Sequence, residues 1–413
     1  MGDTMLFYFV GIKGSALSAF AKILSEKGHI VRGVDVEEEF YTMNSKHPIR
    51  IENFSNMQLK SCYLYIIGNA FLNHSVTKYI QKMGYTFMTY PEALNYFFKN
   101  YKWLCVAGTS GKTTTTKMLS TLLSNATCLI GDGSYHVGAS DVFVLEACEY
   151  RNTFLNYHPS IALILNTNYD HIDFFKTQEE YTKSFQQFIS QSKICIVNGD
   201  ECSYRGHHVI TYGIHKNNNI VFDYSCGKVT ILRKTFELPM VGIKYAYDFV
   251  GAYLMAKLCN IRDNNIQKQM TTFQMPKRRF EKIELKNQTV ILDYAHHPKE
   301  IETIYDTLTE QYKDKRKICI FEPHTITRLQ YFINDYKMVL SRFDECYLYR
   351  LFSSARETHN VKLEKELYDK LGFKTYSHSV KLNLFQANDC ILCFLGAGVI
   401  DKECKEYIKE KNI

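Results

Sequence analysis

The sequence has no uninterrupted apolar stretch of membrane-spanning length, and its start, MGDTMLFYFVGIKG, has neither the basic segment nor the cleavage site of a signal peptide. It contains no long basic run that would follow a nucleic-acid backbone, and a formal net charge of +7 is modest for 413 residues. Repeats of solenoid length and low-complexity segments are absent as well. We therefore expect a cytoplasmic protein, a monomer or homodimer, that binds anionic small molecules, with no nucleic-acid partner and no membrane insertion.

Cysteine pairs that would indicate a zinc or redox site are also scarce. The thirteen cysteines are an odd number, and most of them stand singly in apolar, strand-like runs. Cys390 and Cys393 form the one CxxC, but alternation along a strand would place them on opposite faces. Cys202 lies near His207 and His208 without a second cysteine pair. The pattern favours free, buried thiols.

What the sequence does contain is a series of short apolar runs that alternate with helical patterns, which predicts α/β units with largely parallel sheets. The first run enters a turn with Gly11 and Gly14, a helical segment that closes at Gly28, and a second strand that ends at Asp35. The same pattern restarts near Trp103 and again after MPKRRFEKI. We predict three domains, at residues 1–97, 98–277 and 278–413.

The sharpest motif is AGTSGKTTTT, which follows an apolar strand and precedes a helical run. Its residues are Gly108, Thr109, Ser110, Gly111, Lys112, Thr113 and Thr114. A glycine turn at a helix N-terminus presents unpaired N–H groups and the positive end of the helix dipole to a phosphate. Lys112 adds a cation, and Thr113 offers a hydroxyl to Mg²⁺. A turn that merely joins strand to helix is the alternative, but the context favours a nucleotide site.

Two further strand ends supply groups that could hold a divalent cation. Glu146 closes the apolar run DVFVLEA, where a solvated strand-end carboxylate is the plain alternative. The second strand ends in a polar cluster of Asn166, Asn168, Asp170, His171 and Asp173. A packed or capping histidine competes there with a metal-binding one.

In their order along the chain, the motifs AGTSGKTTTT, LEACE, NTNYDH, KRRF, DYAHHP and EPHTITR resemble those of the Mur ligases. The resemblance extends over nearly the whole chain. It implies an N-terminal Rossmann-like domain for a UDP-sugar, a central P-loop ATPase domain with a mostly parallel sheet, and a C-terminal Rossmann-like domain for amino acid and nucleotide.

The resemblance also implies a role for each residue that matches a family motif. The UDP-sugar would be bound by Gly11, Gly14, Ser15 and Asp35, and ATP by the glycine loop from Gly108 to Thr114 together with Asp293. The metal would be held by Thr113, Glu146 and His171, and the amino acid by Tyr294, His296, His324 and Arg328. The catalytic residues would be Lys112, Glu146, His171, Arg279 and His296.

The implied activity is ATP-dependent amide-bond formation with Mg²⁺, joining L-alanine to the carboxylate of UDP-N-acetylmuramate through an acyl phosphate, in peptidoglycan precursor synthesis. A recycling ligase that adds a preformed tripeptide, a ligase for another carboxylate, and a non-catalytic nucleotide-binding relative are the alternatives. Competition between alanine and a tripeptide would separate the alanine-adding enzyme from the recycling ligase, and binding of UDP-N-acetylmuramate would test the ligase for another carboxylate.

The chain departs from the family pattern at several points. Lys13 and Ala16 fill glycine positions of the first turn, and Ser110 replaces a histidine in the P-loop. The adenine-contacting motif G-x-H-N-x-x-N becomes GIKYAYD at residues 242–248, and Thr325 stands where arginine is usual. We expect the adenine contacts and the amine pocket to be particular to this chain.

Overall fold

The computed structural model describes residues 4–36, 42, 49–352 and 360–411, and these residues form three α/β units, each built on its own sheet. None of the helices in these ranges has the length and apolar content needed to cross a bilayer.

The first unit is a parallel sheet in the strand order β3-β2-β1-β4-β5. Its elements are β1 Leu6–Val10, α1 Ser15–Glu26, β2 Ile30–Val34, β3 Arg50–Glu52, β4 Leu64–Ile67, a 3₁₀ turn Asn69–Phe71, α2 Ser75–Lys82, β5 Phe87–Thr89 and α3 Tyr90–Phe97. β1 is buried on both faces because helices cover both sides of the sheet, which explains its continuous apolar sequence. The strand order is the Rossmann-like one.

The central unit is a larger sheet, in the order β15-β14-β13-β12-β11-β10-β6-β9-β7-β8. Its first elements are β6 Lys102–Ala107, α4 Lys112–Leu122, β7 Thr127–Leu129, β8 Tyr135–His136, β9 Val142–Glu146, a 3₁₀ segment Tyr150–Asn156 and β10 Ile161–Ile164. The others are α5 Gln178–Ser190, β11 Ile194–Asn198, β12 Val209–Gly213, β13 Ile220–Ser225, β14 Lys228–Ile231, β15 Lys234–Glu237, α6 Ile243–Lys257 and α7 Asp263–Met270. The strands from β13 to β15 pair antiparallel, as do β7 and β8, whereas the centre of the sheet is parallel. The carboxyl ends of β6, β9 and β10 therefore meet at one edge.

The third unit has the strand order β16-β17-β21-β18-β19-β20. Its elements are β16 Glu281–Leu285, β17 Gln288–Asp293, α8 Pro298–Gln311, β18 Arg316–Phe321, α9 Ile326–Tyr331, α10 Ile333–Leu340, β19 Glu345–Leu348, α11 Val361–Leu371, β20 Lys374–Thr375, α12 His378–Gln386, β21 Cys390–Leu395 and α13 Ile400–Lys411. All of its pairings are parallel except β16 with β17.

The predicted fold class, three α/β domains with mostly parallel sheets, is confirmed. The two CxxC cysteines do lie on opposite faces of β21, Cys393 in one apolar cluster and Cys390 in another. The sequence prediction missed β16, because this edge strand is largely exposed and has no apolar run to mark it.

Candidate active site

The P-loop connects β6 to α4 as the sequence predicts. Gly108 and Gly111 have φ values of +145° and +87°, which favour glycine, and Gly111 is the N-cap residue of the helix that begins at Lys112. The Asn166 side chain, just after β10, holds the loop: Ser110 N–H donates to Asn166 Oδ1 at 2.9 Å, and Asn166 Nδ2 donates to Ser110 O at 3.0 Å. The loop is therefore preorganised by the neighbouring strand.

The threonines of the motif make different contacts. Thr109 Oγ1 donates to Asn168 O at 2.5 Å and lies 2.8 Å from the Tyr181 hydroxyl, which ties the loop to α5. Thr113 and Thr114 are buried in the first turn of α4.

Lys112 lies in a cluster with a carboxylate that the sequence analysis did not select. Its Nζ donates to the backbone oxygens of Gly108 and Thr109, and it lies 3.1 Å from Glu149 Oε2. Glu149 is fully buried, and its Oε1 is 3.2 Å from His171 Nε2. Burial would raise the pKa of Glu149, but Lys112 and His171 lower it below its ordinary value. Glu149 is therefore the anionic centre of the cluster.

Glu146 lies beside this cluster at the end of β9. Its Oε2 accepts the Gly131 N–H at 2.8 Å, and a side chain at Gly131 would overlap its carboxylate. Burial raises the pKa of Glu146, while Lys112, Thr113 and Arg279 act in the opposite direction. Arg279 belongs to the segment leading into the third unit, so the site is shared between two units.

The side chains around the P-loop include donors that suit a magnesium ion. Thr113 and Glu146 supply hard oxygen donors, and Glu149 supplies a third oxygen, the buried Oε2 that is ion-paired with Lys112. No three His, Cys, Asp or Glu side chains in those ranges converge on one point. An ion here would therefore depend on the Thr113 hydroxyl and on ligand oxygens. The His171 imidazole contacts Glu149, whereas the family resemblance implied that it shares a metal with Glu146.

The third unit brings Asp293 to the same edge. Its carboxylate accepts the N–H groups of Phe280 and Ala295 at 2.6 and 2.7 Å. Burial raises the pKa of Asp293 to about 6, and Arg279 opposes this shift. Asp293 thus fixes the backbone of the connecting segment next to Arg279.

Tyr294 lies against two guanidinium groups, those of Arg278 and Arg279, each 4.9 Å from the ring centre. Arg278 also donates to the carbonyls of Gly396 and Gly398 at 2.9 and 3.1 Å. Arg279 Nη1 lies 4.0 Å from Glu300 Oε1. The two arginines are therefore held side by side, with different partners.

His296 and His324 are neighbours, with ring centres 5.3 Å apart. The backbone N–H of His296 donates to Glu300 Oε2 at 3.0 Å, and the ring Nδ1 of His296 lies 3.1 Å from Tyr294 O. Burial lowers the pKa of His296 to about 4. The ring is therefore neutral near pH 7.

Arg328, in the third unit, forms an ion pair with Asp170 of the central unit. Its Nε and Nη2 donate to the two Asp170 oxygens at 3.0 and 3.2 Å, and its Nη1 lies 3.0 Å from His324 Nδ1. Burial would raise the pKa of Asp170, but Arg328 holds it well below its usual range. Asp170 lay in the polar cluster that the sequence singled out, but its partner is 158 residues away.

The residues assigned to the UDP-sugar form a separate group in the first unit. Gly11 has a φ of +85°, Gly14 is the N-cap residue of α1, and Ser15 begins that helix. Asp35 Oδ2 accepts the Lys13 N–H at 2.7 Å.

A turn at residues 131–134 links this group to the central site. Gly131 contacts Glu146, while a Cβ on Gly133 would lie 2.7 Å from Thr42 and 3.4 Å from Ser18 of α1. Residues 131–134 therefore lie between the glycine turn of the first unit, after β1, and the site at the P-loop, after β6.

Family models match the chain in three consecutive segments. Residues 6–102 match the Mur ligase family catalytic domain, residues 106–256 the Mur ligase middle domain, and residues 278–394 the Mur ligase glutamate ligase domain.

Two relatives extend the likeness over the whole chain, and both are named UDP-N-acetylmuramate–L-alanine ligase. The protein from Limosilactobacillus reuteri (strain DSM 20016) is 32% identical, over 97% of this chain and 98% of the relative. The protein from Lactiplantibacillus plantarum (strain ATCC BAA-793 / NCIMB 8826 / WCFS1) is 33% identical, over 98% of this chain and 99% of the relative.

Solved structures share the fold. A UDP-N-acetylmuramate-alanine ligase from Thermotoga maritima superposes with a TM-score of 0.79 at 20% identity, covering 99% of both chains. A murein peptide ligase from Psychrobacter arcticus 273-4 has a TM-score of 0.70 at 18% identity, with 98% of both chains covered. On its order of motifs, its three matched segments and its full-length relatives, the chain belongs to the Mur ligase family.

Proposed function

We propose that this protein is an ATP-dependent ligase that joins L-alanine to the carboxylate of UDP-N-acetylmuramate in peptidoglycan precursor synthesis. The observation that supports this substrate pair is the full-length likeness to two relatives named for the same reaction, at 32% and 33% identity. A MurF ligase of the same fold, with a TM-score of 0.61, is described in complex with ADP, which supports ATP as the nucleotide.

The reaction needs a carboxylate to approach a triphosphate, so charge neutralisation is the main task of the protein. The carboxylate oxygen attacks the γ-phosphorus, the bond to ADP breaks, and an acyl phosphate forms. The amine then attacks the acyl carbon and phosphate leaves, while the nitrogen loses a proton. Lys112 at the start of α4 and Arg279 from the third unit flank the site and would offset the repulsion.

Magnesium is the cofactor that we assign to this site. We assign the ion to Thr113, Glu146 and His171, and Glu149 lies next to His171. When bound, such an ion neutralises charge on phosphate oxygens.

The third unit is proposed to position the amine. His296 is neutral because burial lowers its pKa to about 4, so it adds no positive charge beside an incoming ammonium group. The His296 ring contacts Tyr294 and His324, and His324 in turn contacts Arg328. For Arg328 to bind a substrate carboxylate, it would have to share its guanidinium with Asp170.

Other sequence-based expectations stay predictions. These are the domain boundaries near residues 97 and 277, the binding of the UDP-sugar by Gly11, Gly14, Ser15 and Asp35, the cytoplasmic location, the monomer or homodimer, and the absence of a nucleic-acid partner.

The decisive experiment measures phosphate release from Mg-ATP with UDP-N-acetylmuramate, with and without L-alanine, and with a tripeptide in place of alanine. We expect release only when sugar nucleotide and alanine are both present. Release with the tripeptide alone would move the protein to the recycling activity. No release with any amine would refute the proposal.

A further inference from the structure

Lys244 is a cationic residue near the P-loop that has no role in the proposed reaction as described above. It lies in the first turn of α6, a helix that packs against α4. A methyl group in place of a hydrogen on Gly111 would overlap Lys244 Nζ and would lie 2.7 Å from Asp248 Oδ1. The ammonium group is therefore packed against the N-cap of the phosphate-binding helix.

Asp248 holds this ammonium group in place. The two side chains form an ion pair one helical turn apart, and the Asp248 side chain is only 2% exposed, against 22% for Lys244. An ammonium group has three donors, and the Asp248 carboxylate accepts one of them. Lys244 can therefore keep Asp248 and donate to a second anion.

The start of α6 lies near both the P-loop and the third unit. Tyr245, the next residue, lies against Phe280, with ring centres 6.4 Å apart, so the start of α6 lies close to the third unit. Arg279 also lowers the pKa of Asp248, whose buried carboxyl is otherwise raised. The start of α6 thus borders the same cleft as Lys112 and Arg279.

We propose that Lys244 is a second phosphate-binding lysine, which donates to the nucleotide phosphates at the N-terminus of α4 while Asp248 positions its ammonium group. This inference rests on the proposed nucleotide site and adds a residue to it. It also gives a role to Lys244 and Asp248, two of the residues at which segment 242–248 departs from the family motif G-x-H-N-x-x-N.

The test is calorimetric titration of ADP into the full-length protein with Mg²⁺, without sugar nucleotide or amine, at low and high ionic strength. Lys244→Met should weaken ADP binding about tenfold or more at low salt, the size of one lost charge-assisted hydrogen bond, and by less at high salt. Lys257→Met is the matched control, since Lys257 ends the same helix and pairs with Asp263. It should change affinity less than about twofold.

Two more variants separate phosphate binding from a structural ion pair. Asp248→Asn keeps the cation, and its amide Oδ1 can still accept from Lys244 and position it, so this variant should bind ADP within about threefold of the wild-type value. Lys244→Met combined with Asp248→Asn leaves no buried charge unpaired, so it guards against misfolding and should be as weak as Lys244→Met. Thermal unfolding checks that each variant is folded.

The possible results are distinct. If Lys244→Met and the double variant bind ADP like the wild type while Lys112→Met does not, the role of Lys244 is refuted and the proposed function stands. If Asp248→Asn loses as much affinity as Lys244→Met, the pair is structural and the inference is wrong. If Lys112→Met also binds normally, nucleotide binding at the P-loop fails, and the proposed function fails with it.

Discussion

Two glycine turns of this chain, one after β1 and one after β6, share the same local plan but differ in what surrounds them. Each connects a buried strand to a helix whose N-cap residue is glycine, Gly14 or Gly111. Around the first, the Asp35 carboxylate accepts backbone N–H groups, those of Lys13 and Val36. Around the second, Lys112 and Glu149 place charge in a buried setting.

The difference shows that a glycine turn supplies N–H donors, while its neighbours decide the chemistry. A helix N-terminus offers only partial positive charge. The central unit adds a lysine and two carboxylates, Glu146 at the end of β9 and Glu149 three residues later, and the third unit adds an arginine. The following variants test this contrast, beginning with the largest expected effect.

Lys112→Ala should lower ligase turnover by a hundredfold or more, on the order of 3 kcal/mol of transition-state stabilisation, because the loop loses its cation. Steady-state phosphate release with saturating substrates measures this. A variant with unchanged turnover would show that the second turn needs only its N–H groups.

Glu149→Gln should lower the free energy of unfolding by about 3 kcal/mol, because it leaves the charge of Lys112 without its buried partner. Asp35→Asn is the matched change in the first turn, and should cost about 1 kcal/mol since Asp35 there accepts neutral N–H groups. Urea denaturation gives both values, and equal losses would contradict the contrast.

Gly111→Ala should destabilise the protein by about 2 kcal/mol, because φ is +87° and the new methyl group would overlap Lys244 Nζ. Gly14→Ala should be nearly neutral, within about 0.5 kcal/mol, since φ is −56° and the nearest atom to a Cβ, Gly11 O, is 3.4 Å away. Thermal unfolding compares the two, and a tolerated alanine at 111 would refute this prediction.

His296→Gln should reduce the loss of stability between pH 7 and pH 4.5 by about 2 kcal/mol. Burial lowers the folded-state pKa of His296 to about 4, so the unfolded chain takes up a proton first as pH falls below about 6.5. The stability that this neutral ring contributes is therefore present above pH 6.5 and is lost between about pH 6.5 and 4. Unfolding free energies at pH 7 and pH 4.5 measure the difference; identical acid losses in variant and wild type would rule it out.

The strands and the P-loop could be predicted because their signals are local. An apolar run followed by glycines, lysine and threonines specifies a strand, a turn and a helix start within a dozen residues. The family order of motifs then supplied residues of the third unit, such as Arg279, whose proximity to Glu146 no local pattern indicates.

Glu149 was missed for a physical reason. Glu146 ends a strand, where direction follows from alternation, whereas Glu149 is the residue before a 3₁₀ segment, and nothing local fixes its side chain. The spacing of three residues in LEACE was the available signal, since such a spacing in a turn can bring two carboxylates to one side. The bond between Asp170 and Arg328 had no local signal because it joins two units.

The ring of Tyr294 has a thermodynamic consequence. Free arginine side chains lose up to about 2 kcal/mol of rotamer entropy when a ligand immobilises them. Here the aromatic contact, at 4.9 Å from the ring centre, and the nearby Glu300 already restrict Arg279 in the folded protein. Much of that ordering is therefore complete before substrate arrives, and more of the attraction between guanidinium and phosphate remains for the reaction itself.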